Sequence, residues 1–429
     1  MTEDLITFQF SRDSSSIIKV IGVGGGGCNA VNYMFEEGIR DVDFVVCNTD
    51  AQALENSPVP VRIQLGMTLT EGRGAGNRPE MGEEAARESY EDVKMVLEEN
   101  TKMVFITAGM GGGTGTGAAP VIARLAHDMG ILTIAVVTIP SPAEGKKRFS
   151  QAIDGIKKLS EHVDSMLVVS NQRLHSIYGD LPARQAFRLA DNIVCTAVKG
   201  VAEIITVHGN INIDFADVYT VMNNSKVFIM GTGHGAGEGR ALKAVKEALE
   251  SPLLDNNSIR GTKNILLNII SGEDEITIGE IGEIIEYLQN EAGQEADIIW
   301  GNGYDKFMGD KISVTILCTG FRSNPNPLFN EPKPAEKINL FDQQPPQSAP
   351  KPEPAPVFNL EEEPEPELNI DKSFSRPQVA REQKMAQPVK QPAPKVQKKK
   401  QTVSDSESSI DNWFYRKFGR LFEDDDQSL

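Results

Sequence analysis

Gly109-Met110-Gly111-Gly112-Gly113-Thr114-Gly115-Thr116-Gly117 follows an apolar run at residues 103–107 and precedes an apolar helical start at residues 118–125. Six glycines in nine positions carry a conformational entropy cost that a simple turn, which needs one or two, does not require. They let backbone close on a ligand, and two threonine hydroxyls add donors where backbone amides already converge, which suits a di- or triphosphate. A second loop repeats the pattern. Gly22-Val23-Gly24-Gly25-Gly26-Gly27 stands between the apolar run 17–21 and a helical pattern through Ala30, Val31 and Met34, and it matches GxGxxG. Alone, that match fits a dinucleotide, a mononucleotide or a tight strand-to-helix join. Two such loops on adjacent strand ends put phosphate contacts on both sides of one ligand.

Further apolar runs at 44–47, 132–138 and 166–170 alternate with a helical pattern over 83–99, carried by Ala86, Tyr90, Val93 and Leu97. Near-continuous apolar strands alternating with helices predict a parallel sheet covered on both faces, here over residues 17–181. Ala186, Ala190, Ile193, Val194, Ala197, Val201, Ile204 and Ile205 are spaced for one helix over 182–208, roughly 40 Å long at the α-helical rise. This helix, with its exit at residue 209, connects to runs at 227–230, 265–270, 298–300 and 312–318 and helical segments at 239–250 and 278–290, a second domain over 210–321. The expected fold class is α/β: a Rossmann-like parallel-sheet domain joined by a long central helix to a smaller α+β domain, followed by a disordered tail.

Composition sets the outer limits. The chain has 429 residues, with 43 Lys and Arg against 61 Asp and Glu, a formal net charge of −18. Sixteen of 24 prolines fall between Pro325 and Pro394, and no glycine occurs between Gly320 and Gly419, so the composition breaks near Phe321. Residues 322–408, rich in Pro, Glu, Lys and Gln, cannot bury enough apolar surface to offset the entropy of ordering and read as a disordered linker. Residues 1–16 read as a flexible N-terminal segment. Up to Gly320 the net charge is −16, a surface that repels phosphate backbones, so no nucleic-acid partner is expected. Four separated cysteines without CxxC spacing, no basic flank leading into an apolar core at the N-terminus, and a longest apolar stretch of nine residues at 131–139 predict a cytoplasmic protein without membrane insertion. Five histidines share no spacing, and no metal site of protein ligands is expected.

Residues 111–117, reading GGGTGTG, carry the signature of the tubulin/FtsZ superfamily of GTPases, which the chain resembles over residues 17–321. GVGGGG at 22–27, NTDAQAL at 48–54, GRGAGNRPE at 72–80 and NINIDFADV at 210–218 support it in order. The resemblance implies a GTP-binding and GTP-hydrolysing cytoskeletal protein that polymerises head to tail, hydrolyses GTP at the interface between subunits, and forms the midcell division ring of bacterial cytokinesis. By the same resemblance Gly25, Gly26, Gly27, Cys28 and Asn29 hold phosphates together with Gly111, Gly112, Gly113, Thr114, Gly115 and Thr116. Ala75 and Gly76 lie near the γ-phosphate, Glu144 and Arg148 contact the ribose, and Asn171, Phe187 and Asp191 form the guanine pocket. The chemistry agrees: a carboxylate accepts from guanine N1–H and the 2-amino group, and an aromatic ring stacks on the base. Where many relatives have aromatic residues just before Glu144, this chain has Pro140-Ser141-Pro142-Ala143.

Asn212-Ile213-Asp214-Phe215-Ala216-Asp217 places two carboxylates three residues apart just past the central helix. Asp214 is a natural N-cap for a helix starting near Ala216. The pair also suits polarising a water in phosphoryl transfer, and the resemblance makes Asn212, Asp214 and Asp217 the catalytic residues offered to the neighbouring subunit's nucleotide. Mg²⁺ is expected with GTP or GDP, since adjacent phosphates need neutralisation that an acidic domain does not supply. Residues 409–429 place Ile410, Phe414, Phe418 and Leu421 on one helical face and stand where the family carries a partner-binding peptide, for division proteins and membrane tethers. Two other classes are open to the residues alone. An NAD-dependent oxidoreductase would account for GxGxxG but not for the second loop or the carboxylate pair. A nucleotide-binding regulator would keep the pocket without assembly. No GxxxxGK[ST] occurs, which excludes a P-loop NTPase.

Overall fold

Parallel strands covered on both faces need two apolar sets, and period-2 alternation supplies them in the first sheet. Its strands, β1 (Ile18–Val23), β2 (Asp43–Asn48), β3 (Val61–Gln64), β4 (Met103–Gly109), β5 (Leu132–Ile139) and β6 (Ser165–Ser170), are all parallel in the order β3-β2-β1-β4-β5-β6. The computed structural model describes residues 15–172, 181–206, 209–250 and 259–321. The expected linker 322–408 and tail 409–429 lie outside the described residues, as does most of the expected N-terminal segment. Helices of eight or more residues are α1 (Gly24–Glu36), α2 (Pro79–Glu88), α3 (Tyr90–Glu98), α4 (Thr114–Asp128), α5 (Lys146–Ser160), α6 (Ala183–Thr206), α7 (Phe215–Met222), α8 (Arg240–Leu249) and α9 (Ile278–Ala292).

Val20, Phe105 and Ile134 point to the face covered by α1 and α6. Their strand neighbours Ile21, Ile106 and Ala135 point to the face covered by α2, α3, α4 and α5. The pattern over 83–99 was expected to be one helix; the chain instead enters helix at Pro79, where a missing N–H costs nothing, and breaks at Ser89 (φ −97°, ψ 24°). The buried Ser89 hydroxyl explains the break. It donates to Gln64 O (3.2 Å) and accepts from Gly66 N (3.1 Å), satisfying backbone at the end of β3.

The second sheet holds β7 (Gly209–Ile211), β8 (Phe228–Ala236), β9 (Asn264–Ser271), β10 (Asp297–Tyr304) and β11 (Lys311–Thr319) in the order β7-β10-β9-β11-β8. Only β9 and β10 are parallel. The four longer strands extend the runs read from the sequence, while β3 and β7 were not expected at all. One core joins the two sheets through α6: Val194, Val198 and Val201 pack with Val136 of the first sheet and with Met230, Leu266 and Leu317 of the second. Each such buried side chain contributes about 1.5–3 kcal/mol. The opposite face of the second sheet packs on α8 and α9 through Ala244, Val245, Ile284 and Leu288.

A buried cation ties this domain together. Arg240 bonds Glu280 (2.7 and 3.2 Å), Asp274 Oδ2 (2.9 Å), and the carbonyls of Asp274, Glu275 and Asp310. The guanidinium holds the Glu280 carboxyl down at about 2. One side chain thereby fixes the starts of α8 and α9 and the turn before β11.

Candidate functional site

β1 and β4 are neighbours, and each runs directly into a helix, α1 at Gly24 and α4 at Thr114. From the central pair β1 and β4 the strand order runs outward in opposite directions, to β2 and β3 on one side and to β5 and β6 on the other, which opens a crevice at the C-terminal strand ends. Neither helix N-terminus has a side-chain cap, so the first-turn amides are free to meet an anion. The two loops touch. A Cβ on Gly24 would stand 2.7 Å from Gly115 N, and one on Gly115 2.6 Å from Gly109 O, so only glycine permits this approach. At Gly25 and Gly112, by contrast, no protein atom lies within 4 Å of the place a Cβ would take. These two mark the open wall of the cradle.

The threonines do more than offer donors. Thr116 Oγ1 accepts from Gly111 N (2.8 Å), closing the loop on itself, and the hydroxyls of Thr114 and Thr49 are hydrogen-bonded to each other (2.7 Å) at the end of β2. Thr49 was missed in the sequence; its only signal was the Asn48-Thr49-Asp50 strand end. Cys28 turns its side chain away from the cradle: its thiol points inward to the Gly22 and Cys47 carbonyls, and burial pushes it up to about 12. The 72–78 segment packs on the cradle, since a Cβ at Gly113 would stand 2.8 Å from both Ala75 Cβ and Arg78 N. Gly74 N is held by Thr49 O at 3.1 Å. Gly76, beside Ala75, has φ 57° and open space around it.

Arg148 in the first turn of α5 lies against Gly111. Glu144 is brought to Asn171, whose Nδ2 donates to its Oε1 (3.3 Å), while the same carboxylate accepts from Ser141 N (2.9 Å) in a capping box. Pro140-Ser141-Pro142-Ala143 therefore builds a capped 3₁₀ turn that aims Glu144. Asn171 Oδ1 is buried without a partner, an acceptor left over for a donor such as those on a purine. On α6, Phe187 is exposed and Asp191 follows one turn later on the same face. Asp191 is half-buried, and desolvation pushes its carboxyl up to about 7.

The carboxylate pair lies elsewhere, past the C-terminal end of α6. Asp214 caps α7 as the sequence predicted, and Asp217 completes the box: Asp217 N donates to Asp214 Oδ1 (2.9 Å) and Asp214 N to Asp217 Oδ2 (3.1 Å). Each carboxylate keeps one oxygen outside the box. Asn212 is exposed, and its Oδ1 accepts from Gly209 N (2.6 Å). From Asp191 to Thr206 the helix rises about 22 Å, and the carboxylates follow only after that helix and β7. Among the described residues no three His, Cys, Asp or Glu side chains cluster as metal ligands, so phosphate oxygens would supply much of the coordination of a magnesium ion.

The Tubulin/FtsZ family GTPase domain matches residues 17–179, and the FtsZ family C-terminal domain matches 227–322. The cell division protein FtsZ of Porphyromonas gingivalis is 47% identical over 324 residues, 75% of this chain and 71% of that protein. That of Azotobacter vinelandii is 47% identical over 307 residues, 71% of this chain and 77% of that protein. Among solved structures, an empty FtsZ dimer from M. jannaschii aligns with TM-score 0.66 and 41% identity, covering 72% of this chain and 89% of that one. A GTPγS-bound CetZ2 protofilament from Haloferax volcanii aligns with TM-score 0.60 at 18% identity, covering 70% of this chain and 92% of that one, a likeness of fold. With the two glycine loops at one strand crevice and both family domains matched in order, the chain belongs to the FtsZ family of the tubulin/FtsZ GTPases and is a GTPase.

Proposed function

We propose that the chain binds GTP in the crevice between β1 and β4 and hydrolyses it when the 212–217 segment of a second subunit reaches the γ-phosphate, so that turnover and head-to-tail polymerisation are one process. The observation that carries this is the separation along α6. The phosphate cradle and base pocket stand at one end and Asp214 and Asp217 past the other, too far apart to meet one γ-phosphate within a chain. A heterologous contact that does not close into a ring propagates as a filament. Exposed apolar side chains favour such contacts: Met67 (71% exposed) follows β3 on the nucleotide side, while Ile278 (88%) and Phe307 (85%) follow β9 and β10, at the strand ends where β7 begins. The dimer of the M. jannaschii relative adds support.

In this reading residues 25–29 and 111–116 line the phosphates, which the free first-turn amides of α1 and α4 hold, with Ala75 and Gly76 closing over the terminal one. Glu144 and Arg148 flank the ribose. Asp191 and Asn171 Oδ1 accept from guanine and Phe187 stacks on it. The free carboxylate oxygens of Asp214 and Asp217, steadied by Asn212, orient and polarise the attacking water. The charge of the adjacent phosphates would be neutralised by a Mg²⁺ ion held largely by the nucleotide itself. The chain divides as 17–181, 182–209 and 210–321, with 1–16 as an N-terminal segment, residues 322–408 as a linker, and 409–429 as a peptide for division proteins and membrane tethers. Its relatives' cell-division names support a place in the cytoplasmic division ring at midcell.

The test is GTP turnover per molecule against protein concentration, with Asp217→Ala and Gly112→Asp measured alone and mixed. Turnover should rise above a threshold. Each variant should be slow alone, and the mixture should recover activity, because one still offers a pocket and the other still offers carboxylates. Full turnover in dilute monomer would refute a shared site.

A further inference from the structure

The segment bearing Asp214 and Asp217 hangs from β7, a three-residue edge strand too short to hold a position by itself. Its ladder on β10 is irregular. Asn302 faces Ile211 and Gly303 faces Gly209, so the register shifts and Asn210 is left over as a bulge. At this break a side chain replaces a ladder bond: Asn302 Oδ1 accepts from Ile211 N at 3.0 Å. The backbones are pressed together around it. A Cβ at Gly209 would stand 1.6 Å from Asn302 O, and one at Gly301 2.9 Å from both Ile211 O and Ile213 Cγ1. Ile213 then enters the core joining the two sheets, and the next residue is Asp214.

We propose that Asn302 is a positioning residue for GTP hydrolysis, holding the 212–217 segment at the place where it meets the neighbouring subunit's nucleotide. This rests on the shared-site reading above. The Ile211 amide is the last point at which β10 grips the segment through a side-chain hydrogen bond before the carboxylates, three residues on. Without an acceptor there, the bulge can slide along β10, and carboxylates displaced by about 1 Å can lose up to about a hundredfold in rate. Asn302 belongs to the second domain, so its own chain's nucleotide pocket is untouched by its loss.

Four variants test the assignment: Asn302→Ala, Asn302→Asp, Asp217→Ala and Gly112→Asp. Turnover per assembled subunit, polymer mass by sedimentation, GDP affinity and the denaturation midpoint are measured for each. Asn302→Ala should assemble and bind GDP normally while turning over about tenfold more slowly. Asn302→Asp, which keeps an acceptor oxygen, should recover to within about twofold of the parent. Mixing Asn302→Ala with Gly112→Asp should also restore turnover, because an intact segment then meets an intact pocket. Should Asn302→Ala fail to fold, Gly301→Ala presses a methyl on Ile211 and Ile213 and should give the same slow turnover with unchanged GDP affinity. Normal turnover in Asn302→Ala beside a slow Asp217→Ala overturns the positioning role alone. Normal turnover in Asp217→Ala overturns the shared site and this inference with it.

Discussion

Lowering the pH from 8 to 6 should weaken guanine-nucleotide binding through Asp191. Burial raises this carboxyl to about 7 in the empty pocket, whereas guanine presents two donors and needs the ionised acceptor. If only the ionised form binds, the apparent dissociation constant is multiplied by one plus the ratio of protonated to ionised carboxyl. That factor is about 1.1 at pH 8, about 2 at pH 7 and about 11 at pH 6. The sign for folding is opposite. A carboxyl raised in the folded state binds protons that the unfolded chain has released, so the ligand-free protein should gain stability from this group as pH falls from 8 to 6. The assay is GDP affinity by calorimetry or fluorescence at the three pH values, paired with the denaturation midpoint of ligand-free protein. GDP's terminal phosphate also gains a proton in this range, so the same series is run on Asp191→Asn, which cannot titrate. That variant should bind about a hundredfold or more weakly, because an amide N–H then faces a guanine donor, and it should lack the tenfold slope. Equal pH slopes in the two proteins would refute the role of Asp191 as guanine acceptor.

Two further outcomes follow from the packing. Gly112→Asp should fold with an unchanged midpoint, since no protein atom lies within 4 Å of its Cβ position, yet lose nucleotide because a carboxylate then fills the phosphate cradle; retained GDP affinity would move the phosphates elsewhere. Arg240→Met should lower stability by about 1–3 kcal/mol by leaving the carbonyls and carboxylates around it without their donor, read as a fall in the denaturant midpoint with GDP affinity preserved. The part of that deficit owed to Glu280 is present above its ordinary range near 4.5 and shrinks as pH falls towards about 2.

The loops were legible because their chemistry is local. A phosphate needs free amides at close range, close range needs glycine, and glycine density is visible without coordinates. The central helix was legible from its 3.6-residue apolar period, and the Asp214 cap from its position before an apolar run. The break at Ser89 was not, because periodicity continues across it and its cause lies in Gln64 and Gly66, more than twenty residues back. Thr49 was passed over because its partner Thr114 is 65 residues away.

The amino-acid sequence by itself determined the two phosphate loops, the α/β alternation, the long connecting helix and the presence of a carboxylate pair, since each follows from residue types at short spacing. Tertiary structure alone decided which of these meet. β3 and β7, at four and three residues, exist because longer neighbours offer them an edge. Arg240 staples four segments and Asn302 holds a bulge 91 residues away, and neither has a pattern in the chain around it. A hydrogen bond between distant segments leaves no periodicity, because its second partner is supplied by the fold.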